Sequence, residues 1–185
     1  QVILDVKRGD IGSTSQAYAD AYFDPASPLA SDAITASPYL GFGSLDPILD
    51  TAERHGGGVF VLALTSNKEA PQVQHARTGR ETVAGSVLAD LRRRNAGASP
   101  MGSLGAVVGA TIGDAQEELA INGPLLVPGI GAQGGSVGDV RRIFADCLSN
   151  VVPSSSRAVL SAGPDPDQLR AAAEHDIAQF AAALR

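Results

Sequence analysis

Ile3-Leu4-Asp5-Val6-Lys7-Arg8-Gly9-Asp10-Ile11-Gly12-Ser13-Thr14 begins as a strand and runs out into a charged turn. Val2-Ile3-Leu4 has the β-branched, apolar composition of a strand. Three charges follow at spacings of two and three: Asp5, Lys7 and Asp10. Residues i and i+2 of an extended backbone share a face, so Asp5 and Lys7 point the same way from the strand end. Asp10 lies past a turn at Gly9. A cation set between two carboxylates is favoured in its charged form, the form required of a proton donor to a carbanion. The same spacing also suits a partly solvated salt bridge, since structural ion pairs perturb titration too. Spacing alone leaves both readings open.

Downstream, strand and helix signals alternate. Thr14 through Phe23 reads as a helix with Ser13 as a candidate N-cap and Pro25 beyond its end. Asp32–Ala36 reads as a short strand running into the loop Ser37-Pro38-Tyr39-Leu40-Gly41-Phe42-Gly43, after which Ser44 can cap a helix to about Glu53. Val59–Leu64 is a continuous apolar run, as in a strand buried on both faces. Val83, Val87, Leu88 and Leu91 form one apolar helical face, and Arg92-Arg93-Arg94 closes that helix at the negative end of its dipole. Leu104–Val108 reads as a strand, and Asp114 as the cap of a helix over Ala115–Ile121. Leu125–Val127 reads as a strand, Val137–Cys147 as a helix and Asn150–Pro153 as the last strand. Asp165 and Pro166 then start an Ala-rich helix to Leu184.

Strands alternating with helices predict a parallel sheet with helices outside it. No GxGxxG follows the first strand and no P-loop is present, which favours a (β/α) barrel over an open nucleotide-binding sheet. The polar and Gly-rich segments lie after strands, where a (β/α)8 barrel of the TIM type carries its site. About six of the eight βα units are represented, and two more of roughly 30 residues each would close the ring. The expectation is a single barrel domain over residues 1–185, with the first two strands outside the chain.

Composition narrows the partners. A formal charge of −6 lacks the basic footprint of a nucleic-acid binder, and any anionic ligand needs local cationic or backbone donors. Neither a signal peptide nor a membrane-spanning apolar run is read. The single cysteine, Cys147, falls on the apolar positions of its helical pattern, which makes it a core residue and suits a reducing cytoplasm. His55, His75 and His175 lack metal-ligand spacing and read as surface or loop residues, so no metal is expected.

The richest turn is Pro128-Gly129-Ile130-Gly131-Ala132-Gln133-Gly134-Gly135. Its many backbone N–H groups at a strand-to-helix junction can cradle a phosphate. Gln133 adds an amide, and Arg157, one strand later, adds a fork of donors. The last two strands of such barrels commonly supply the phosphate site.

Asp5-x-Lys7-x-x-Asp10-Ile11-x-x-Thr14 resembles the signature of orotidine 5′-phosphate decarboxylases, in the wording of the branch found in mycobacteria and related bacteria. Ser37-Pro38-Tyr39-Leu40-Gly41, Thr65-Ser66-Asn67, the loop from Pro128 to Gly135, and Ser156-Arg157 are similar as well. The resemblance implies cofactor-free conversion of orotidine monophosphate to uridine monophosphate, the last step of pyrimidine nucleotide synthesis. Lys7 would protonate C6, with Asp5 beside the departing carboxylate. Asp10, Ile11 and Thr14 would reach into the partner's site of a homodimer. Ser66 would contact the pyrimidine, and Pro128, Gly129, Gly131, Gln133 and Arg157 would lie at the phosphate. The family's ribose-contacting Asp and second Lys come from its first two strands. Neither is in this chain, so an additional N-terminal segment is expected in the natural protein.

Two other readings stand beside this one. Hexulose-phosphate synthases and keto-gulonate-phosphate decarboxylases are similar at Asp-x-Lys-x-x-Asp but use magnesium. They lack the Ile11…Thr14 continuation and the Gln of the phosphate loop. A noncatalytic barrel remnant that only binds nucleotides is the reading from a different class.

Overall fold

The structure, a computed structural model, describes residues 1–130 and 134–184. Strand β1 (Ile3–Arg8) leads into helix α1 (Gly12–Phe23), strand β2 (Ala33–Ala36), a 3-10 turn (Phe42–Leu45) and helix α2 (Asp46–Arg54). Next come β3 (Gly58–Leu64), the one-turn α3 (Pro71–Gln74), a hairpin of β4 (Arg77–Thr78) and β5 (Glu81–Thr82), and α4 (Val83–Arg94). Strands β6 (Leu104–Val108) and β7 (Leu125–Pro128) precede α5 (Val137–Ile143) and a second 3-10 segment (Ala145–Asn150). Strand β8 (Val151–Ser154), α6 (Arg157–Leu160) and α7 (Pro166–Ala183) follow.

Strands β1, β2, β3, β6, β7 and β8 pair in that order in one sheet, and every pairing is parallel. Order in the sheet follows order in the chain, the winding of a barrel rather than of a doubly wound sheet whose order reverses. β1 and β8 are the two edges.

The two faces of the sheet are buried differently. Ile34, Val59, Val61, Leu104, Ala106 and Leu125 turn toward the helices and join Leu45, Ile48, Leu49, Leu88 and Leu91 in the main core. The alternate residues Ala33, Phe60 and Val107 form a second, smaller cluster with Ile3, Leu62 and Leu126. Strand register places Asp5 and Lys7 of β1 and Thr35 of β2 on that second face, which is the barrel-interior side.

The basic run Arg92–Arg94 proves to be tethering rather than free charge. Arg94 bonds Asp46 and Asp50 of α2, each at 2.7 Å. Arg93 pairs with Asp90, and Arg92 donates to the carbonyls of Ala120 and Glu118, each at 3.1 Å. Beyond them the buried Asn95 side chain donates to the Leu104 carbonyl at 2.8 Å and the Ile121 carbonyl at 3.0 Å.

The segment these donors reach is the largest departure from the sequence reading. No helix forms over 115–121. The Ala120 N–H donates to the Glu118 carboxylate at 3.0 Å and the Ile121 N–H to the Leu119 carbonyl at 2.9 Å instead of reaching back one turn, and Leu119 and Ile121 are buried in an irregular segment. Asp114 therefore caps nothing and pairs with Arg142 of α5. Ser13 is not a cap either: α1 starts at Gly12, and its N-cap Ile11 has no side-chain capping bond. Ser44 lies in the 3-10 turn, where its hydroxyl donates to the Gly41 carbonyl at 2.7 Å, so α2 begins at Asp46. The helix expected to reach Cys147 stops at Ile143 and continues as 3-10 turns, broken where Cys147 takes φ −142°. Cys147 is nonetheless buried, with its thiol pushed up to about 11 by burial. His55, His75 and His175 are all exposed.

Replacing Asn95 with Ala would strand two carbonyls and the Leu104 N–H in the interior. The expected loss is about 3 kcal/mol, read from urea unfolding. A loss below about 1 kcal/mol would show that the segment is held by other means.

Candidate active site

Because all six strands run parallel, their C-terminal ends share one rim, and the segments singled out in the sequence sit on it. At the end of β1, Lys7 Nζ donates to Asp5 Oδ2 at 2.5 Å. Both side chains are more than half exposed, so their charged heads face solvent at the rim. From β2, the Thr35 hydroxyl donates to the other carboxylate oxygen, Asp5 Oδ1, at 2.8 Å. The same hydroxyl accepts the backbone N–H of Lys7 at 2.9 Å. Partial burial raises the Asp5 carboxyl, but hydrogen bonds from Lys7 and Thr35 and the Lys7 charge together bring it below its ordinary value.

The backbone here is strained. Lys7 has φ 46°, the left-handed region, which costs a non-glycine residue roughly 1–3 kcal/mol. The β1–β2 register shifts between Leu4 and Arg8 around it. Neighbouring bonds over-determine this geometry. Ser37 N–H donates to the Arg8 carbonyl at 2.7 Å, and Arg8 Nε donates to the Tyr22 hydroxyl at 3.2 Å, with its guanidinium over the Tyr18 ring. Gly9 fits only as glycine, because a Cβ there would stand 2.3 Å from the Ser37 carbonyl oxygen.

Asp10 does not complete a sandwich around Lys7. Its carboxylate accepts the N–H of Ile11 at 2.8 Å, and among the described residues Lys7 has Asp5 as its one ion-pair partner. The turn at Gly9 carries Asp10 off the strand face, so two carboxylates do not flank the lysine within one chain. Ile11 and Thr14, which follow it in the chain, are exposed, and so are Tyr39 and Leu40 after β2.

Ser66 follows β3 and is exposed. Its loop is latched by Gln74, whose amide accepts the Thr65 N–H at 2.9 Å and donates to the Thr65 hydroxyl at 2.7 Å. Pro128 ends β7, and Gly129 lies just past it. Gly131 and Gln133 fall outside the described residues. The far side of that loop is closed by Gly135, whose N–H donates to the Gly129 carbonyl at 3.1 Å. A Cβ on Gly135 would sit 2.7 Å from both that oxygen and the Ala110 methyl. Arg157 is exposed at the first position of α6, and its side chain makes no hydrogen bond or ion pair among the described residues. Ser66, Gly129 and Arg157 share the rim with Asp5 and Lys7 without bonding to them.

Three functional-looking groups escaped the sequence reading. Thr35 could have been found as a polar side chain inside a strand that is buried throughout, since such a group needs partners. Gln74 had no such signal, because its partner lies nine residues away across an irregular loop. Ser136 and Asp139 carry the Ser-x-x-acid spacing of a capping box, and both reciprocal bonds are present at the start of α5. Among the described residues, no group of three or more His, Cys, Asp or Glu is arranged to hold a metal ion.

The sequence model of the family described as "Orotidine 5′-phosphate decarboxylase / HUMPS family" matches residues 1–172. An orotidine 5′-phosphate decarboxylase of Nocardioides sp. is 69% identical over 173 residues, covering 91% of this chain and 63% of its own length. One from Salinispora arenicola is 59% identical over 185 residues, covering 99% of this chain and 66% of its own length. A crystal structure of a Streptomyces avermitilis protein, provisionally given the same name, superimposes with TM-score 0.95 at 54% identity. It covers 99% of this chain, which in turn covers 65% of it. The chain thus spans about two thirds of the length of the curated relatives it matches.

The capping box behind the Gly-rich loop has a pH signature. Hydrogen bonds from the Ser136 hydroxyl and N–H, then from Arg142, hold the Asp139 carboxyl at about 2 instead of 3.8. A depressed folded-state value means that its stabilisation is present above 3.8 and is lost as pH falls through about 2. Carboxyl-carbon NMR should find Asp139 near 2 and, in Ser136→Ala, back toward 3.8. An unmoved titration would remove Ser136 as the cause.

Proposed function

Because this chain belongs to the orotidine 5′-phosphate decarboxylase family, we propose that the protein carrying it converts orotidine monophosphate to uridine monophosphate and CO₂, the closing step of pyrimidine nucleotide synthesis. The observation that carries this reading is the Asp5–Lys7 pair, with its strained backbone, at the C-terminal rim of a parallel sheet.

The C6–CO₂ bond breaks and leaves its electron pair on C6, which has no conjugated sink. The site must meet that charge with groups already in place. Lys7 does so as an ammonium and then transfers a proton from Nζ to C6, general-acid work. Asp5 holds Lys7 and lies beside the departing carboxylate. Ser66 contacts the pyrimidine. Arg157, unpaired among the described residues, joins Pro128, Gly129, Gly131 and Gln133 at the phosphate, supplying the local cation that a chain of charge −6 needs for an anionic substrate. Holding the phosphate far from C6 supplies binding energy that positions the reacting end.

Asp10, Ile11 and Thr14 act across a homodimer interface. Ile11, next to Asp10 in the chain, at 62% exposure and Tyr39, after β2, at 76% are apolar surface that a second copy would cover. Two further βα units, supplying strands one and two of the ring, pair with the open edges of β1 and β8. The one-third of each curated relative that the chain does not span is length enough for them. No described helix is long and apolar enough to cross a membrane, and the enzyme works in the cytoplasm.

Ultraviolet assay of orotidine monophosphate loss tests this reading. Lys7→Ala should slow turnover by about 10³-fold or more while uridine monophosphate still binds. Equal rates would exclude Lys7, and binding without any wild-type turnover would favour the nucleotide-binding remnant. Turnover that survives a chelator separates this chemistry from the magnesium-dependent lyases. Arg157→Ala should weaken uridine monophosphate binding by about ten- to a hundredfold and leave uridine binding unchanged. Equal losses for both ligands would take Arg157 off the phosphate.

A further inference from the structure

Asp5 and Lys7 are mostly solvent-exposed, at 62% and 52% of their side-chain surfaces, so packing does not fix either head. Thr35 beside them is 1% exposed. Its hydroxyl has one proton. The Lys7 N–H can only donate, and it reaches Thr35 Oγ1 at 2.9 Å, so the hydroxyl accepts there. The hydroxyl proton is then free for Asp5 Oδ1 at 2.8 Å. With Oδ1 held, rotation of the carboxylate is blocked, and Oδ2 is left facing Lys7 Nζ at 2.5 Å.

The same hydroxyl also stands in for a strand partner. β1 and β2 lose regular register between Leu4 and Arg8, where Lys7 turns to φ 46°. A Lys7 N–H without an acceptor would be a costly orphan, and Thr35 supplies that acceptor from the neighbouring strand.

We propose that Thr35 is the positioning residue of the Asp5–Lys7 pair, its one hydroxyl clamping both the strained lysine backbone and the carboxylate that aims the ammonium. The proposal rests on the decarboxylase reading above for its catalytic consequence, while the clamp itself stands on geometry alone. Buried at 1% exposure, Thr35 acts through Lys7 and Asp5. The charged group facing Asp5 is Lys7, and Arg8 is engaged by Tyr18 and Tyr22.

Thr35→Val keeps the shape and removes both bonds, whereas Thr35→Ser keeps the hydroxyl. In the protein as naturally expressed, Thr35→Val should lower kcat by about ten- to a hundredfold, the range for a hydrogen bond to a charged group. KM should change less than about threefold, because uniform binding is untouched. Thr35→Ser should recover most of the rate. Without its donor the Asp5 carboxyl rises, so the acid limb of kcat should move to higher pH in Thr35→Val. Carboxyl-carbon NMR of Asp5 should show the same upward move without any turnover.

A Thr35→Val enzyme with wild-type kcat and pH profile would overturn the proposal, as would a Thr35→Ser enzyme impaired as badly as Thr35→Val. If wild-type protein fails to consume orotidine monophosphate, the decarboxylase reading falls, and the Asp5 titration alone decides the clamp: an unmoved titration refutes it. Should Thr35→Val not fold, Thr35→Cys, a weak donor of similar size, takes its place in the same comparisons.

Discussion

Parallel pairing of β1 with β2 is the contact on which the rim depends. It sets Asp5 and Thr35 side by side on the barrel-interior face, and it stops being regular where Lys7 must turn. A strand that stayed regular through Lys7 would carry that ammonium along the sheet. Instead the chain bends at a left-handed residue and, after Arg8, continues through a glycine packed against Ser37 and an aspartate turned off the face. The strain is local, and the surrounding bonds hold it there.

The remaining architecture keeps that edge in place. Helices cover one face of the sheet with a continuous core of small aliphatic residues. The other face holds a modest apolar cluster deep in the sheet and gives way to charge at the strand ends. Along β1 this gradient is read in three alternate residues, Ile3, Asp5 and Lys7. Farther round, Arg92, Arg94 and Asn95 tie α4 and the residue after it to α2, to the Leu104 carbonyl and to the irregular segment behind β6. Charges that a composition count would treat as a patch are spent on geometry.

The strands were readable because burial on both faces leaves runs such as Val59–Leu64 with no other plausible fate. The Asp5–Lys7 pairing was readable because both partners lie on one strand two residues apart. Helix starts were read less well. Ser13 and Ser44 have the right chemistry for caps, but a glycine turn before one and a 3-10 turn around the other moved the helix ends away from them. The segment after Asp114 has helical composition and is not helical: the Ala120 and Ile121 N–H groups bond to Glu118 and Leu119 close by, while its last carbonyls accept from Arg92 and Asn95.

By itself the sequence determined the order and parallel sense of the strands and the pairing of Asp5 with Lys7. These follow from periodicity and from neighbours close along the chain. Only the tertiary structure decided that Thr35 closes the triangle, that Asp10 turns away from Lys7, and that the basic run is consumed by α2 and the β6–β7 segment. Each depends on a hydrogen bond or turn whose partner is supplied by another strand or helix, and no local pattern encodes which distant donor will arrive first.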